Sequence, residues 1–193
     1  MELNKNYWEN RYKNNDAVWD AGSITTPLKA YFDQITDKTL KILIPGGGNS
    51  YEFEYLINNG FENVYVLDFA ALPLQNIKKR LPLVANDQLI EADFFDHHGQ
   101  YDLIVEQTFF CALDPALRKK YVEKMASLLP AGGKLAGLFF QFPLTEIGPP
   151  FGGSASEYTS LFENDFTLNT LETAYNSIKP RKGSELFFIF TKK

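Results

Sequence analysis

The sequence is poor in cysteine and histidine and contains no long apolar run. Cys111 is the single cysteine among 193 residues, which excludes an internal disulfide. His97 and His98 are adjacent, with no second cluster of ligands to complete a metal site. Apolar stretches such as GKLAGLFFQF are far shorter than the roughly 20 residues that span a bilayer. We therefore expect no disulfide framework, no metal centre and no transmembrane segment.

Positive charge is also scarce. Lysine and arginine number 19 against 24 acidic residues, giving a formal net charge of -5. Nucleic acids and anionic membranes are bound by clustered lysines and arginines, so we expect neither as a partner. The first residues, MELNKNYWENRYKN, lack a basic segment followed by an apolar one. These features predict a cytoplasmic protein, expected to be a monomer, whose partner is a small molecule.

Short apolar runs alternate with amphipathic segments along the whole chain, with no repeat or linker, which predicts a single domain over residues 1–193. The pattern predicts strands at 40–44, 63–67, 87–90, 101–105 and 134–140, and helices at 51–59, 74–81 and 115–129. Such alternation is typical of an α/β fold, a Rossmann-like three-layer sandwich with a mostly parallel sheet. Two final strands, 166–174 and 184–191, are joined without a helix and predict an antiparallel end to the sheet.

Three consecutive glycines, Gly46 to Gly48, follow the first predicted strand directly. In an open parallel sheet this turn offers backbone N–H groups to a ligand, and the absence of Cβ atoms allows close approach. Asp68 stands 20 residues beyond Gly48, at the end of the second predicted strand, where a carboxylate can accept hydrogen bonds from ribose hydroxyls. The two features together predict a cofactor that contains adenosine.

The absence of two nucleotide-binding motifs narrows the choice of cofactor. Tyr51 occupies the last glycine position of G-x-G-x-x-G, which disfavours NAD, and the turn has no lysine of the kind that binds ATP phosphates. S-adenosyl-L-methionine has no phosphate and suits the turn better. Asp93 and Phe94, after the third strand, offer a carboxylate for an exocyclic amine and a ring for stacking on adenine. The alternative for Asp93 is a solvated loop acid.

Six sequence blocks occur in an order that resembles class I S-adenosylmethionine-dependent methyltransferases. They are NYWENRYKNNDAVWDAG, LIPGGGNSYEFEYL, VLDFA, EADFF, YDLIVEQTFFCALDPALRKKYVEKMASLLPAGG and EIGPPFGGSASEYTSLF. The resemblance is greatest to the thiopurine S-methyltransferase family, including its thiol and halide methyltransferase branch. It implies a seven-stranded sheet whose last strand is antiparallel. It also implies that residues 1–36 form a helical lid over the cofactor, and that residues 37–193 form the Rossmann-like core.

The resemblance also implies roles for individual residues around the cofactor. Trp8 would close over it, with Trp19 near the same pocket, while Asp68 would bind ribose. The remaining implied cofactor-binding residues are Gly46, Gly47 and Gly48 through the main chain, Asp93 and Phe94 at adenine, and Glu106 and Gln107 beside the methionine portion. Two positions depart from the family: Gly47 replaces a frequent cysteine, and Gln107 replaces the arginine of the thiopurine branch. The second change argues against a thiopurine-like substrate, and the segment FFCALDP resembles the thiol and halide branch more.

Methyl transfer from a sulfonium is an in-line displacement, which needs a positioned nucleophile more than acid–base groups, so no catalytic residue is predicted firmly. A dry aromatic pocket would favour the reaction. The candidates for its lining are Phe109, Phe110, Phe142, Phe151 and Tyr158, with ordinary core packing as the alternative for each phenylalanine. The loop GPPF, 148–151, follows the fifth strand and is predicted to be a substrate lid. Cys111 is interpreted as a small core residue.

The sequence therefore predicts a methyltransferase that uses S-adenosyl-L-methionine to methylate a small thiol, sulfide or halide. Two other interpretations remain open. One is a non-catalytic protein that binds S-adenosylmethionine or an adenosine nucleoside on the same fold. The other is an NAD-dependent reductase.

Overall fold

The computed structural model describes residues 3–193 of the chain. These residues divide into two compact units, one that ends at His97 and one that spans His98–Lys193. In the described part of the chain, no helix is both long enough and apolar enough to cross a bilayer.

Three parallel strands and four helices make up the first unit. In chain order the elements are α1 (Lys5–Lys13), α2 (Thr26–Phe32), β1 (Ile42–Pro45), α3 (Tyr51–Asn58), β2 (Val64–Asp68), α4 (Ala71–Arg80) and β3 (Leu89–Glu91). Strand β2 lies between its two neighbours, with Ile42 opposite Val64 and Val66 opposite Leu89. Every residue of β1 is buried, as is typical of a parallel strand covered on both faces.

Four strands and two helices form the second unit. They are β4 (Leu103–Gln107), α5 (Arg118–Leu128), β5 (Lys134–Phe140), α6 (Ala155–Phe162), β6 (Phe166–Thr173) and β7 (Glu185–Lys192). Strand β5 is parallel to β4 and antiparallel to β7, which is itself antiparallel to β6. The strand order is β3-β2-β1 in the first unit and β4-β5-β7-β6 in the second. The predicted α/β class, with a mostly parallel sheet and an antiparallel last strand, is confirmed.

Two helical features of the second unit differ from the predicted pattern. The predicted helix 115–129 begins as a 3-10 turn, Pro115–Leu117, and continues as α5. Helix α6 was not predicted. Its N-cap is Ser154, whose hydroxyl accepts a hydrogen bond from the Glu157 N–H at 3.3 Å. The serine followed three residues later by glutamate is the sequence signature of a helix start, and it was available before the fold was known.

The core of the second unit is aromatic. The rings of Phe139 and Phe188 are stacked, with centroids 4.0 Å apart and planes 8° from parallel, across the β5–β7 pair. Phe110, Phe162 and Phe190 are also fully or almost fully buried. Rings prefer such offset or tilted contacts, which add to the free energy gained by their burial. The high aromatic content of the sequence is thus largely explained by packing.

Gly137 gives a test of the close contact between β4 and β5. It lies opposite Glu106 in the parallel ladder, and a Cβ atom at this position would clash with the Glu106 carbonyl oxygen. We expect Gly137→Ala to force the two strands apart and to lower the free energy of unfolding by about 1–3 kcal/mol. Urea denaturation followed by circular dichroism measures the change. An unfolding midpoint equal to that of the wild type would contradict the strand contact.

Candidate active site

The glycine turn after β1 lies against the end of β2. Gly46 and Gly48 have left-handed backbones, with φ of 58° and 55°, which glycine adopts without steric cost. The Gly48 N–H donates a hydrogen bond of 2.9 Å to Asp68 Oδ2. Position 47 requires glycine for a different reason, because a Cβ atom there would lie 2.7 Å from Val66 Cγ1. The predicted glycine turn and acidic residue are therefore in direct contact.

Asp68 is a buried acid at the end of β2, with 8% of its surface exposed. Its Oδ1 accepts a second hydrogen bond, from the Ala70 N–H at 2.8 Å. Burial raises the pKa of Asp68 to about 6, and these backbone hydrogen bonds oppose the rise. Glu9 adds a further increase through its negative charge. The site thus holds a costly negative charge, which favours a ligand that donates hydrogen bonds or is positively charged.

Helix α1 and the segment after it bring three aromatic rings together. Trp8 and Trp19 meet edge to face at 5.4 Å, and Tyr12 meets Trp19 at 5.6 Å. The Tyr12 hydroxyl occupies the space above Gly48, where an added Cβ atom would lie 2.5 Å from it. Burial raises the pKa of Tyr12, so its hydroxyl stays protonated. Tyr12 was not predicted as a site residue, although it is four residues after Trp8 and hence on the same helix face.

Polar contacts fix this N-terminal segment to the rest of the first unit. Glu9 Oε1 accepts a hydrogen bond of 2.5 Å from the Ala71 N–H, at the start of α4, where a negative charge is favoured. Asp20 accepts one of 2.6 Å from the Asn49 side chain, next to the glycine turn. Sequence reasoning missed Glu9, Asp20 and Asn49, because each contact joins positions that are 29 or 62 residues apart.

Asp93 and Phe94 follow β3 in a short 3-10 turn. Asp93 is exposed, and its Oδ1 accepts a hydrogen bond of 2.7 Å from the Phe95 N–H, which caps the turn. The ring of Phe94 is only 3% exposed and meets the half-buried ring of Phe95 edge to face at 5.3 Å. Phe95 therefore offers more ring surface to a ligand than Phe94, and the adenine role of the pair remains a prediction.

In the second unit, Glu106 organises the turn that follows β4. It is fully buried, and its Oε1 accepts hydrogen bonds from the N–H groups of Phe109 and Phe110 at 2.8 and 2.9 Å. The Tyr121 hydroxyl donates to Oε2. Burial raises the pKa of Glu106 to about 7, although these three hydrogen bonds oppose the rise. The Glu106 carboxylate is thus hydrogen-bonded to groups of the protein itself. Its neighbour Gln107 is half-buried at the end of the strand.

The five predicted pocket residues fall into two groups. Phe110, Phe151 and Tyr158 are 2%, 9% and 1% exposed, and the ring of Phe110 is packed among buried aromatic side chains. Phe109 and Phe142 are half-buried. The half-buried pair therefore has ring surface available to a ligand, whereas the other three contribute mainly to packing. A role in acceptor binding remains a prediction for all five.

The predicted lid, residues 148–151, is part of a loop that is anchored closely to the second unit. The Phe151 N–H donates to the Cys111 carbonyl at 2.7 Å, and the Gly153 N–H donates to the Phe142 carbonyl at 2.8 Å. Arg118, which is 5% exposed, donates through Nη2 to the Gly152 carbonyl at 2.7 Å. Its Nη1 forms an ion pair with Glu157. In this conformation, hydrogen bonds hold the loop against the rest of the second unit.

Residues 3–193 contain no group of three or more His, Cys, Asp or Glu side chains placed to hold a metal ion.

Arg118 is expected to control the mobility of the loop. In Arg118→Ala the buried Gly152 carbonyl loses its donor, which costs about 1–3 kcal/mol locally. Amide hydrogen exchange at Phe151 and Gly153 should then become about 10 to 100 times faster. Mass spectrometry of peptides covering 148–153 measures it. Lys119→Ala is the matched control, because that side chain is 86% exposed. Equal exchange in both variants would show that Arg118 does not hold the loop.

Comparison with known proteins assigns the chain to a family. The sequence model of the Thiopurine S-methyltransferase (TPMT) family matches residues 3–191. "Probable thiol methyltransferase 2" of Arabidopsis thaliana is 28% identical, and "Thiocyanate methyltransferase 1" of Brassica oleracea is 26% identical. Each alignment covers 92% of this chain and 81% of the relative.

A solved structure shares the fold. It is the Burkholderia thailandensis 1,6-didemethyltoxoflavin-N1-methyltransferase with bound 1,6-didemethyltoxoflavin and S-adenosylhomocysteine, with a TM-score of 0.79 and 15% identity. The likeness covers 99% of this chain and 88% of that one. The family resemblance predicted from the six sequence blocks is confirmed, and the chain belongs to the thiopurine S-methyltransferase family.

Proposed function

We propose that the protein is a methyltransferase that transfers the methyl group of S-adenosyl-L-methionine to a small thiol. The observation that carries this function is the family match over residues 3–191, which includes the glycine turn and its acidic partner Asp68. Two relatives that cover most of the chain carry names that specify thiol and thiocyanate methylation. A thiol is the acceptor that the first of those names specifies.

The residues of the first unit fit this methyl donor. Each carboxylate oxygen of Asp68 accepts one backbone hydrogen bond and retains capacity for another, which suits the two hydroxyls of a ribose. Gly46 to Gly48 would contact the amino-acid end of the donor through main-chain groups other than the N–H groups of Gly47 and Gly48, which donate to the Leu67 carbonyl and to Asp68. The negative charges of Asp68 and Glu9 suit a sulfonium and an ammonium group, and they disfavour a phosphate. Trp8 and Trp19 would cover the donor.

The other predicted contacts keep their roles within this proposal. Asp93 and Phe94, with the additional ring of Phe95, would hold adenine. Gln107 and the main chain of Glu106 would lie beside the methionine portion. Phe109, Phe110, Phe142, Phe151 and Tyr158 would shield the acceptor from water. The donor supplies an activated methyl group, and the chain's own residues bind, orient and exclude water.

The turnover test is the formation of S-adenosylhomocysteine with a panel of acceptors. The panel contains small organic thiols, bisulfide, iodide, thiocyanate and a thiopurine. We expect turnover with thiols. Binding of S-adenosyl-L-methionine without turnover of any acceptor would instead support a non-catalytic binding protein. Thermal stabilisation by NADH and none by S-adenosyl-L-methionine would reject the donor, because a ligand of the native state raises its apparent stability.

Donor affinity should depend on pH through Asp68. Its pKa is raised to about 6, and the ionised form is the acceptor for ribose hydroxyls. Above pH 6 the carboxylate is charged and binding is full, whereas below pH 6 protonation competes with binding. Affinity should therefore fall by up to about tenfold for each pH unit below 6. Isothermal titration calorimetry between pH 5 and 8 measures the effect.

Asp68→Asn is the matched variant for this prediction. It should bind the donor more weakly at pH 7.5 and lose the pH dependence near 6. Wild-type affinity together with an unchanged pH profile in the variant would reject the ribose role of Asp68.

A further inference from the structure

A small cavity lies inside the second unit, beside the ends of β4 and β5. Its volume is about 10 Å³, which is room for one water-sized group. The lining residues are Thr108, Phe110, Cys111, Leu138, Phe139, Phe140 and Glu185. Most of this lining is aromatic or aliphatic, and Glu185 is its one carboxylate. The cavity is therefore lined mainly by apolar side chains and by a single carboxylate.

Glu185 is buried, with 2% of its surface exposed, and its two oxygens have different surroundings. Oε1 lies 3.4 Å from Nη1 of Arg181 and forms a buried ion pair with it. Oε2 is buried and has no hydrogen-bond partner. A buried carboxylate oxygen without a hydrogen-bond donor is costly. Oε2 can therefore accept a hydrogen bond or a proton from a bound ligand.

The strand register puts Glu185 at the ligand-binding edge of its unit. It is the first residue of β7 and pairs with Phe140, the last residue of β5. Because β7 is antiparallel, its start lies at the same edge as the carboxyl ends of β4 and β5. Ligands of open α/β sheets bind at this edge. The loop that contains Phe151 is bonded to Cys111, another residue of the cavity wall.

Cys111 does not compete with Glu185 for the role of proton acceptor. Burial raises the pKa of its thiol, and Sγ donates a hydrogen bond to the Thr108 carbonyl at 3.4 Å. The thiol therefore stays protonated. Glu106 has three donors on its carboxylate, so its acceptor capacity is largely used. Glu185 is the one carboxylate in the cavity lining, and its Oε2 has capacity to accept a proton.

We propose that this cavity is the subsite for the S–H group of the acceptor thiol, and that Glu185 Oε2 is the catalytic base that takes its proton. The proposal rests on the methyltransferase function proposed above. The S–H bond breaks and its proton passes to Oε2. The electron pair left on the acceptor sulfur forms the new S–CH₃ bond, while the bond from that methyl group to the sulfonium sulfur breaks. The products are a methyl thioether and S-adenosylhomocysteine, with the proton on Glu185.

A base has a clear purpose for this acceptor class. A thiol with a pKa of about 8.5 is only a few per cent ionised at neutral pH, and the thiolate is the nucleophile. Iodide needs no deprotonation. The small volume also selects among thiols, since the cavity admits the sulfur end of an acceptor and excludes a ring. We infer that aliphatic thiols or hydrogen sulfide are better substrates than thiopurines.

The test compares two acceptors in Glu185→Gln, which keeps the shape of the side chain. At pH 7, turnover of an aliphatic thiol should fall by about 100-fold or more, as for the loss of a general base. Turnover of iodide should not fall, because iodide needs no deprotonation and the substitution removes a negative charge that repels it. The thiol deficit should shrink as the pH rises past the pKa of the free thiol. Glu172→Gln, an exposed glutamate on β6, is the matched control for loss of charge.

The pH comparison takes account of the groups around Glu185. Arg181 pairs with it, Cys111 shares the cavity, and Glu106 and Arg118 act on Cys111 through their charges. A second readout does not depend on turnover: without the methyl donor, the thiol should bind the wild type more tightly than Glu185→Gln in isothermal titration calorimetry, because a carboxylate oxygen accepts the S–H hydrogen bond more strongly than an amide does. If Glu185→Gln fails to fold by circular dichroism, Glu185→Asp replaces it, with a smaller thiol deficit and intact iodide turnover.

Each other outcome separates the two proposals. Equal losses with thiol and iodide would show a structural role for Glu185, and no loss with either would show no role, so both overturn the base. A wild type that methylates iodide but no thiol also overturns it. If iodide is not accepted, thiocyanate takes its place in the comparison, because it is already anionic and contains no ring. A wild type that binds S-adenosyl-L-methionine and turns over no acceptor contradicts the proposed function itself.

Discussion

The first unit depends on one hydrogen bond, from the Gly48 N–H to the Asp68 carboxylate. It joins the turn after β1 to the end of β2, and it requires a bare, left-handed backbone because the Tyr12 hydroxyl fills the space of a Cβ atom. A side chain at this turn would displace Tyr12 and, through it, the ring of Trp19. The glycine turn, Asp68 and the rings of Tyr12 and Trp19 therefore depend on one another for their positions.

The second unit uses the same device with a different acid. Glu106 accepts N–H groups from the turn after β4, as Asp68 accepts them from the turns around it. A carboxylate at a strand end thus converts a flexible connection into a fixed one. Arg118 then fixes the loop at Gly152 in a similar way, with a cation donating to a carbonyl. Such rigidity suits an in-line displacement, whose rate depends on holding the reacting groups at the right distance and angle.

Periodic features were predictable from the sequence because they depend on neighbouring residues. The strand predictions agree with β1 to β7 to within about two residues, and the Gly48–Asp68 contact follows from parallel-sheet topology. The separate reasons for Gly47 and Gly48 were not predictable, because Val66 and Tyr12 approach them only in the folded chain.

The cavity beside Glu185 was hidden for the same reason. In SELFFIFT this glutamate resembles any polar residue at a strand start, and its position follows from a register that pairs it with Phe140, 45 residues earlier. Glu9 and Tyr12 were equally hard to predict, since one amphipathic helix turn predicts packing without naming what it packs against. Local patterns therefore predicted the elements, and long-range register determined which side chains share a site.

Three buried acids lie at strand ends, and the number of donors each receives separates their roles. Glu106 receives three hydrogen bonds and has little acceptor capacity left, so its function is to shape a turn. Asp68 accepts hydrogen bonds from Gly48 and Ala70 on different oxygens and a weaker one from the Phe69 N–H, and its remaining capacity suits a ligand with hydroxyl groups. Glu185 lines a cavity with room for one water-sized group, and it has an arginine on one oxygen and no hydrogen-bond partner on the other. Since burial penalises an unpaired charge, such an oxygen persists only where the surrounding fold holds it in place, and this asymmetry distinguishes a proton acceptor from a structural acid.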